Sequence, residues 1–199
     1  MSQPSNRPLR ANAALPSDAD LLRDVAGGDR DALGMLYDRY ARDVWRVACR
    51  MLGDRADADD VVHATFLDLR RMAACFDGRS SCRNWLRGIA VRLALRHRRG
   101  MGRFRRMLEG FGQSLVGSAA VPHPESQASH NEDLRILARA LARLHPNKRA
   151  AFTLVALEGL TSDQAAIALE VPAATVRTRL FNARRELQAA LNATTLKEP

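Results

Sequence analysis

Two blocks of apolar residues at helical spacing, separated by a stretch with no period, constrain this chain more than any other feature. In the first block Leu33, Leu36, Tyr40, Val44, Val47 and Met51 recur every three or four positions, followed by Val62, Phe66, Leu69 and Ala73, then by Leu86, Ile89, Ala90 and Leu93. The second block repeats the rhythm at Leu134, Leu137, Leu141 and Leu144, and again at Val176, Leu180, Ala183, Leu187 and Leu191. Such steps line one stripe of a helix with about 3.6 residues per turn. Strand-like alternation is absent. Helices striped on one side must bury that side against one another. The expected fold class is therefore all-α: two small helical domains joined by a flexible linker. A four-helix domain spans residues 17–99, a linker 100–131 and a second helical domain 132–192, with tails at 1–16 and 193–199.

The punctuation agrees with this division. Residues 1–16 hold three prolines and no period, as a mobile tail does. Ser17 and Asp20 form an S-x-x-D helix start, Gly27-Gly28 ends that helix, and Gly53 ends the next. Asp57, Asp59 and Asp60 crowd the start of the third helix, where carboxylates complement the helix dipole. The linker carries five glycines and two prolines and is long for a connection inside one domain. Thr161 and Gln164 make a T-x-x-Q capping box, and Val171-Pro172 forms a turn before a basic helix. A short helix, a tight turn and a longer basic helix spell helix-turn-helix.

Charge sets the class of partner. Lys and Arg total 31 against 22 Asp and Glu, giving a net charge of +9 and a pI near 10.8. That excess favours a polyanion, nucleic acid above all. No apolar run is long enough to span a bilayer and the start lacks a signal-peptide core, so a cytoplasmic protein without direct membrane insertion is expected. Cys49, Cys75 and Cys82 are too few and too irregular for a disulfide framework or a zinc knuckle, although His63 and His97 could join them in a zinc site. Asp54, Asp57, Asp59 and Asp60 suggest a metal-dependent nuclease only weakly, because consecutive first-turn carboxylates diverge and no second ligand cluster accompanies them. With no phosphate loop and no nucleophile–base arrangement, no catalytic site, metal, cofactor or small-molecule substrate is expected.

Two segments point at DNA. In "TVRTRLFNARREL" (Thr175 to Leu187) the apolar stripe leaves Thr178, Phe181, Asn182 and Arg185 broadly opposite and Arg177, Arg179 and Arg184 on its flanks. A phenyl ring on the polar side gains little unless a partner covers it. In a major groove, Thr175, Arg177, Thr178, Phe181 and Asn182 would face base edges, while Arg184 and Arg185 would grip phosphate. The second segment holds nine arginines and no acid between Arg83 and Arg106. Arg92, Arg96 and Arg99 share one face at spacings that repel in isolation and suit a phosphate backbone. "RSSCRNW" just upstream offers hydroxyl, amide, guanidinium and indole groups, with Trp85 open to either core packing or base stacking.

Together these parts resemble a bacterial sigma factor of the extracytoplasmic-function group. Residues 28–71 with "CRNWLRGIAVRLALRHRR" look like sigma region 2, and "LARALARLHPNKRAAFTLVALEGLTSDQAAIALEVPAATVRTRLFNARREL" looks like sigma region 4. The resemblance implies that Asp57, Asp60, Val61, His63, Phe66 and Leu67 dock on core RNA polymerase, with Asp60 as a polar anchor and Phe66 chiefly structural. It implies that Arg79, Ser80, Ser81, Arg83, Asn84, Arg92, Arg96 and Arg99 open and hold the −10 promoter element, and that the helix from Ala174 reads the −35 element. It also implies an anti-sigma factor as partner, able to hold the chain at the inner membrane, and a nucleoid location when active. The chain departs from the family pattern at His63-Ala64, Arg92, Arg96 and Asn182. The rival reading is a conventional helix-turn-helix regulator binding a palindrome as a dimer, but the sequence shows no dimer seam and an obligate homo-oligomer is not expected.

Overall fold

The computed structural model describes residues 16–110 and 130–195, and every regular element among them is helical. The N-terminal tail up to residue 15, linker residues 111–129 and residues 196–199 lie outside the described residues. Helix α1 (Asp18–Ala26) begins where the Ser17 hydroxyl accepts from the Asp20 amide. Helix α2 (Arg30–Leu52) is capped by Asp29 and stops at Gly53, whose φ of 81° is left-handed and suits a residue without a Cβ. Helix α3 (Arg55–Met72) is capped by Asp54, which accepts from the Asp57 amide. Only Asp54 and Asp57 therefore serve the helix start. Asp59 and Asp60 lie one turn further along, on the exposed side.

A single 3-10 turn at Ala73–Cys75 leads toward helix α4 (Cys82–Gly110). This helix passes Gly100 and Gly102, where the sequence suggested a linker. An isolated glycine costs about 1 kcal/mol in a helix but keeps the hydrogen-bond ladder, and the surrounding Arg, Met and Leu are good helix formers. Helices α5 (His130–Arg143) and α6 (Pro146–Phe152) follow, the latter with proline in its first turn, where its missing N–H costs nothing. Helix α6 then widens into a π-type turn over Thr153–Leu157, and the Glu158 amide donates to the Thr153 carbonyl at 2.9 Å. The Thr161–Gln164 box opens α7 (Ser162–Leu169) with both reciprocal hydrogen bonds formed. The chain turns through Glu170 and Pro172 into α8 (Ala173–Thr195).

Helices α1 to α4 close one bundle around Leu36, Val44, Val47, Met51, Leu69, Leu86 and Ile89, all fully buried. Each such side chain stabilises the fold by about 1.5–3 kcal/mol relative to exposure. The stripe of α8 (Val176, Leu180, Ala183, Leu187) is also buried, partly against Ala140, Leu141 and Leu144. The two halves do not stand apart. The core of the first bundle continues without a break into Ala150, Ala151, Leu154, Leu160, Ala165, Ala168 and Val176 of the second half. Helix α4 lies against α7 so closely that a Cβ on Gly88 would meet the Cβ of Ala168 at 2.8 Å.

Candidate nucleic-acid interface

Helix α8 presents the surface that its sequence pattern suggested. Burying Val176, Leu180 and Ala183 turns the opposite side to solvent, and Phe181 stands 66% exposed there with Thr178, Arg184 and Arg185 also exposed. The Thr178 hydroxyl donates to the Ala174 carbonyl at 3.0 Å, which turns that hydroxyl back onto the helix backbone. Asn182 and Thr175 are half-buried at the edge of this face. Arg177 pairs with Asp163 at 3.8 Å, a long contact between exposed side chains, so its guanidinium is held loosely.

The loop and helix expected to face a melted strand are more divided. Arg79 pairs with Asp77 at 3.1 Å, and the Ser81 hydroxyl caps α4 by accepting from the Asn84 amide at 3.2 Å. Ser80 and Asn84 are half-buried. Trp85 is half-buried and packed against the core, with its ring centroid 5.2 Å from that of Phe76. Arg83 remains exposed but reaches Asp43 at 3.1 Å. Arg96 and Arg99 line an open concavity of about 470 Å³ together with Arg71, Arg92 and Arg179. Arg92 does not extend freely toward solvent with them. It donates to the Ala168 carbonyl and sits 3.3 Å from Glu170, and burial lowers its pKa from the ordinary arginine value.

On α3 the residues expected to dock a partner separate into two sides. Asp60 and His63 are exposed, and Leu67 is 77% exposed, an unusual position for a leucine. Val61 and Phe66 are buried at 3% and 5%. Val61 is thus corrected from a surface contact to a core residue, because Ala58, Val61, Val62, Thr65, Phe66 and Leu69 form the inward side of α3. Phe66 keeps the structural role expected of it, its ring meeting Tyr37 edge-on at 4.9 Å. Asp57 is partly covered and lies 3.0 Å from His97 Nε2 on α4. Beside Asp59 and His63, α2 contributes Tyr37, Arg42 and Trp45 to a shallow groove of about 230 Å³. Sequence reasoning missed these α2 residues, although two aromatics just off the Leu36–Tyr40–Val44 stripe were the available signal.

The largest omission lies between the halves. Glu158 reads in sequence as an ordinary acid before Gly159, yet its side chain is 1% exposed and ringed by Arg46, Arg50 and Arg87. Hydrogen bonding to Glu158 raises the pKa of Arg46, whereas burial lowers that of Arg87. Arg149 is 2% exposed and has no carboxylate partner among the described residues. It donates to the Leu141 carbonyl at 2.6 Å and to the Met51 carbonyl at 2.7 Å. Arg98 also donates to Met51, at 3.2 Å, so two guanidiniums serve the C-terminal end of α2, where carbonyl dipoles favour a cation. Burial and the neighbouring Arg98 push the Arg149 pKa down to about 10.

A helix-turn-helix unit with a bare aromatic on its last helix, joined to a bundle with a basic long helix, defines a DNA-binding protein of two modules. Residues 36–104 match the family model of sigma-70 region 2, and residues 134–187 match that of sigma-70 region 4. The chain is 31% identical over 179 residues to the RNA polymerase sigma factor NccH of Alcaligenes xylosoxydans xylosoxydans, covering 87% of this chain and 94% of that one. It is 31% identical over 178 residues to the ECF RNA polymerase sigma-E factor of Haemophilus influenzae, covering 86% and 94%. Among solved structures, CnrH in complex with the cytosolic domain of CnrY superposes with a TM-score of 0.62 at 26% identity, over 88% of this chain and 97% of that one. The sigma factor RpoE in complex with the anti-sigma factor NepR from Bartonella quintana shares the fold, with a TM-score of 0.63 at 21% identity over 80% and 96%. The chain belongs to the sigma-70 family of RNA polymerase sigma factors, in its extracytoplasmic-function group.

Proposed function

We propose that this sigma factor docks on core RNA polymerase through the exposed side of α3, reads the −35 element as duplex with α8, and holds the −10 element with the loop before α4 and the basic face of that helix. The observation that carries the reading is the exposed Leu67, 77% bare beside Asp60 and His63 on a chain of net charge +9. An acidic, apolar-centred patch on a basic protein fits a protein partner with a basic surface, whereas DNA would be repelled there. Phe181 and its neighbours complete the reading, since an exposed aromatic edge can cover a thymine methyl. The chain supplies specificity and the polymerase supplies the chemistry, so it has no catalytic site of its own. It works in the cytoplasm, with the nucleoid when active. The likeness to CnrH, solved with the cytosolic domain of CnrY, supports an anti-sigma factor as the partner that holds it idle, at the inner membrane where that partner is a membrane protein.

Run-off transcription by core polymerase on a randomised promoter library tests this. Addition of the protein should select templates sharing two elements at one fixed spacing. Selection of a single palindrome, bound by a dimer without polymerase, would overturn it.

A further inference from the structure

Glu158 and the arginines around it are separated by long stretches of chain and meet only through the packing of the two halves. Its carboxylate lies 2.8 Å from Arg87 and 3.2 Å from Arg46, and accepts from Arg50. Its backbone carbonyl accepts from Arg87 at 3.4 Å. Asp43 closes the far side of the cluster, 2.7 Å from Arg46 and 3.1 Å from Arg83. We propose that Glu158 with Arg46, Arg50 and Arg87 is an interdomain latch that keeps the free chain closed, with its two DNA-reading helices unable to address one promoter until the latch opens. The promoter part of this inference rests on the function proposed above; the latch itself does not.

Three observations carry it. First, Glu158 is the acid that the second half contributes to this cluster, and Arg87 is only 6% exposed. A buried carboxylate persists only where guanidiniums compensate it, and removing it strands them. Second, a row of further contacts runs along the same seam. Gly88 leaves room for Ala168, Arg92 holds the Ala168 carbonyl and Glu170, and Arg149 reaches across to Met51. Closure therefore occupies Arg92, assigned above to the −10 strand. Third, the reach is wrong for DNA. Helix α7 lies between α4 and α8, and two interhelical packing distances amount to about 20 Å. Elements centred at −35 and −10 lie about 85 Å apart along a duplex with 3.4 Å per base pair. A closed chain cannot touch both. A partner opens it by binding the open form better than the closed one.

The test uses the full chain, spin-labelled on the exposed faces of α1 and α8 at Arg23→Cys and Gln188→Cys after the native cysteines are replaced, and read by pulsed dipolar spectroscopy. Without polymerase or DNA, the chain otherwise unchanged should give one narrow, short distance. Glu158→Gln should add a broad, long component, and Glu158→Gln with Gly88→Leu should make that component dominant at unchanged helicity. A broad, long distance in the chain with Glu158 intact overturns the closed state whether or not any variant folds. Persistence of the short distance in both folded variants overturns the latch. In run-off transcription at limiting core polymerase, Glu158→Gln should raise product severalfold, and equal product from an opened variant overturns the inhibitory role. The distances are read without polymerase, so a failed sigma assignment would leave them standing and show itself only in transcription.

Discussion

The backbone of Ala168 lies where the side chain of Gly88 would begin: an added Cβ would sit 2.9 Å from its carbonyl oxygen and 3.0 Å from its Cα. Backbone cannot rotate away as a long side chain can. Gly88→Ala gains up to about 1 kcal/mol of helix propensity, yet overpacking costs typically about 1–3 kcal/mol. The net expectation is a lower denaturation midpoint by chemical melting. Pairing it with Ala168→Gly should recover part of the loss, and a strictly additive double mutant would show that the two positions do not meet.

Asp60→Lys and Leu67→Ala should each weaken retention on core polymerase while leaving stability within about 0.5 kcal/mol, because both side chains stand outside the bundle. Asp57 is a poorer probe. It lies 3.0 Å from His97, so reversing its charge disturbs the α3–α4 contact as well. Pull-down of core polymerase with melting curves in parallel separates the two effects. Undiminished pull-down by both Asp60→Lys and Leu67→Ala would remove the docking face.

Phe181→Ala should leave the melting temperature unchanged and weaken binding to the preferred −35 duplex, since the ring is 66% exposed. Arg177→Ala should cost about 1–3 kcal/mol and relax preference at one base position. Arg184→Ala and Arg185→Ala should weaken all sequences alike and lower the salt slope by about one unit each. Binding titrations over a set of single-base variants at two salt concentrations give all three readouts.

Burial pushes the Cys82 thiol up to about 12 and the Cys49 thiol up to about 11, from an ordinary value of 9.0. Cys75 is exposed. At pH 8 a colorimetric thiol reagent should react quickly with one equivalent, and Cys75→Ser should abolish that phase. The folded chain keeps the protons of Cys49 and Cys82 at pH values where the unfolded chain releases them. Their contribution to stability is therefore complete below pH 9 and is lost as the pH rises from there through 11 and 12. Cys82→Ala should flatten that decline in alkaline denaturation curves.

The helices were legible because their determinants are local. Ser17, Gly53 and the Thr161–Gln164 pair act within a few residues, and the stripe of α8 needs only its own spacing. The exposure of Phe181 followed from the same arithmetic. The side of Val61 did not, because a resemblance assigns a segment to a partner without saying which residues the bundle claims first. The seam was not legible at all. Arg87, Arg149 and Glu158 have the composition of a solvated surface, and only pairing between distant segments takes them out of water. Helix α4 overran its expected end because glycine weakens a helix without forbidding it.

The run of α6 into its π-type turn gives this arrangement a vulnerability that no charge substitution would expose. A π turn is an α-helix with one residue too many, and each residue advances a helix by about 100°. Adding one residue to the regular turns of α6 before Thr153 would swing Glu158 about a quarter-turn away from the guanidiniums, whereas removing one inside the π turn would let the ladder revert to ordinary spacing with little change of phase. The sequence would keep every ionisable group it has. The phase of a single helix, rather than its inventory of charges, thus decides whether the two halves recognise each other, and a change in chain length there could retune the protein where an alignment of charges would show no difference.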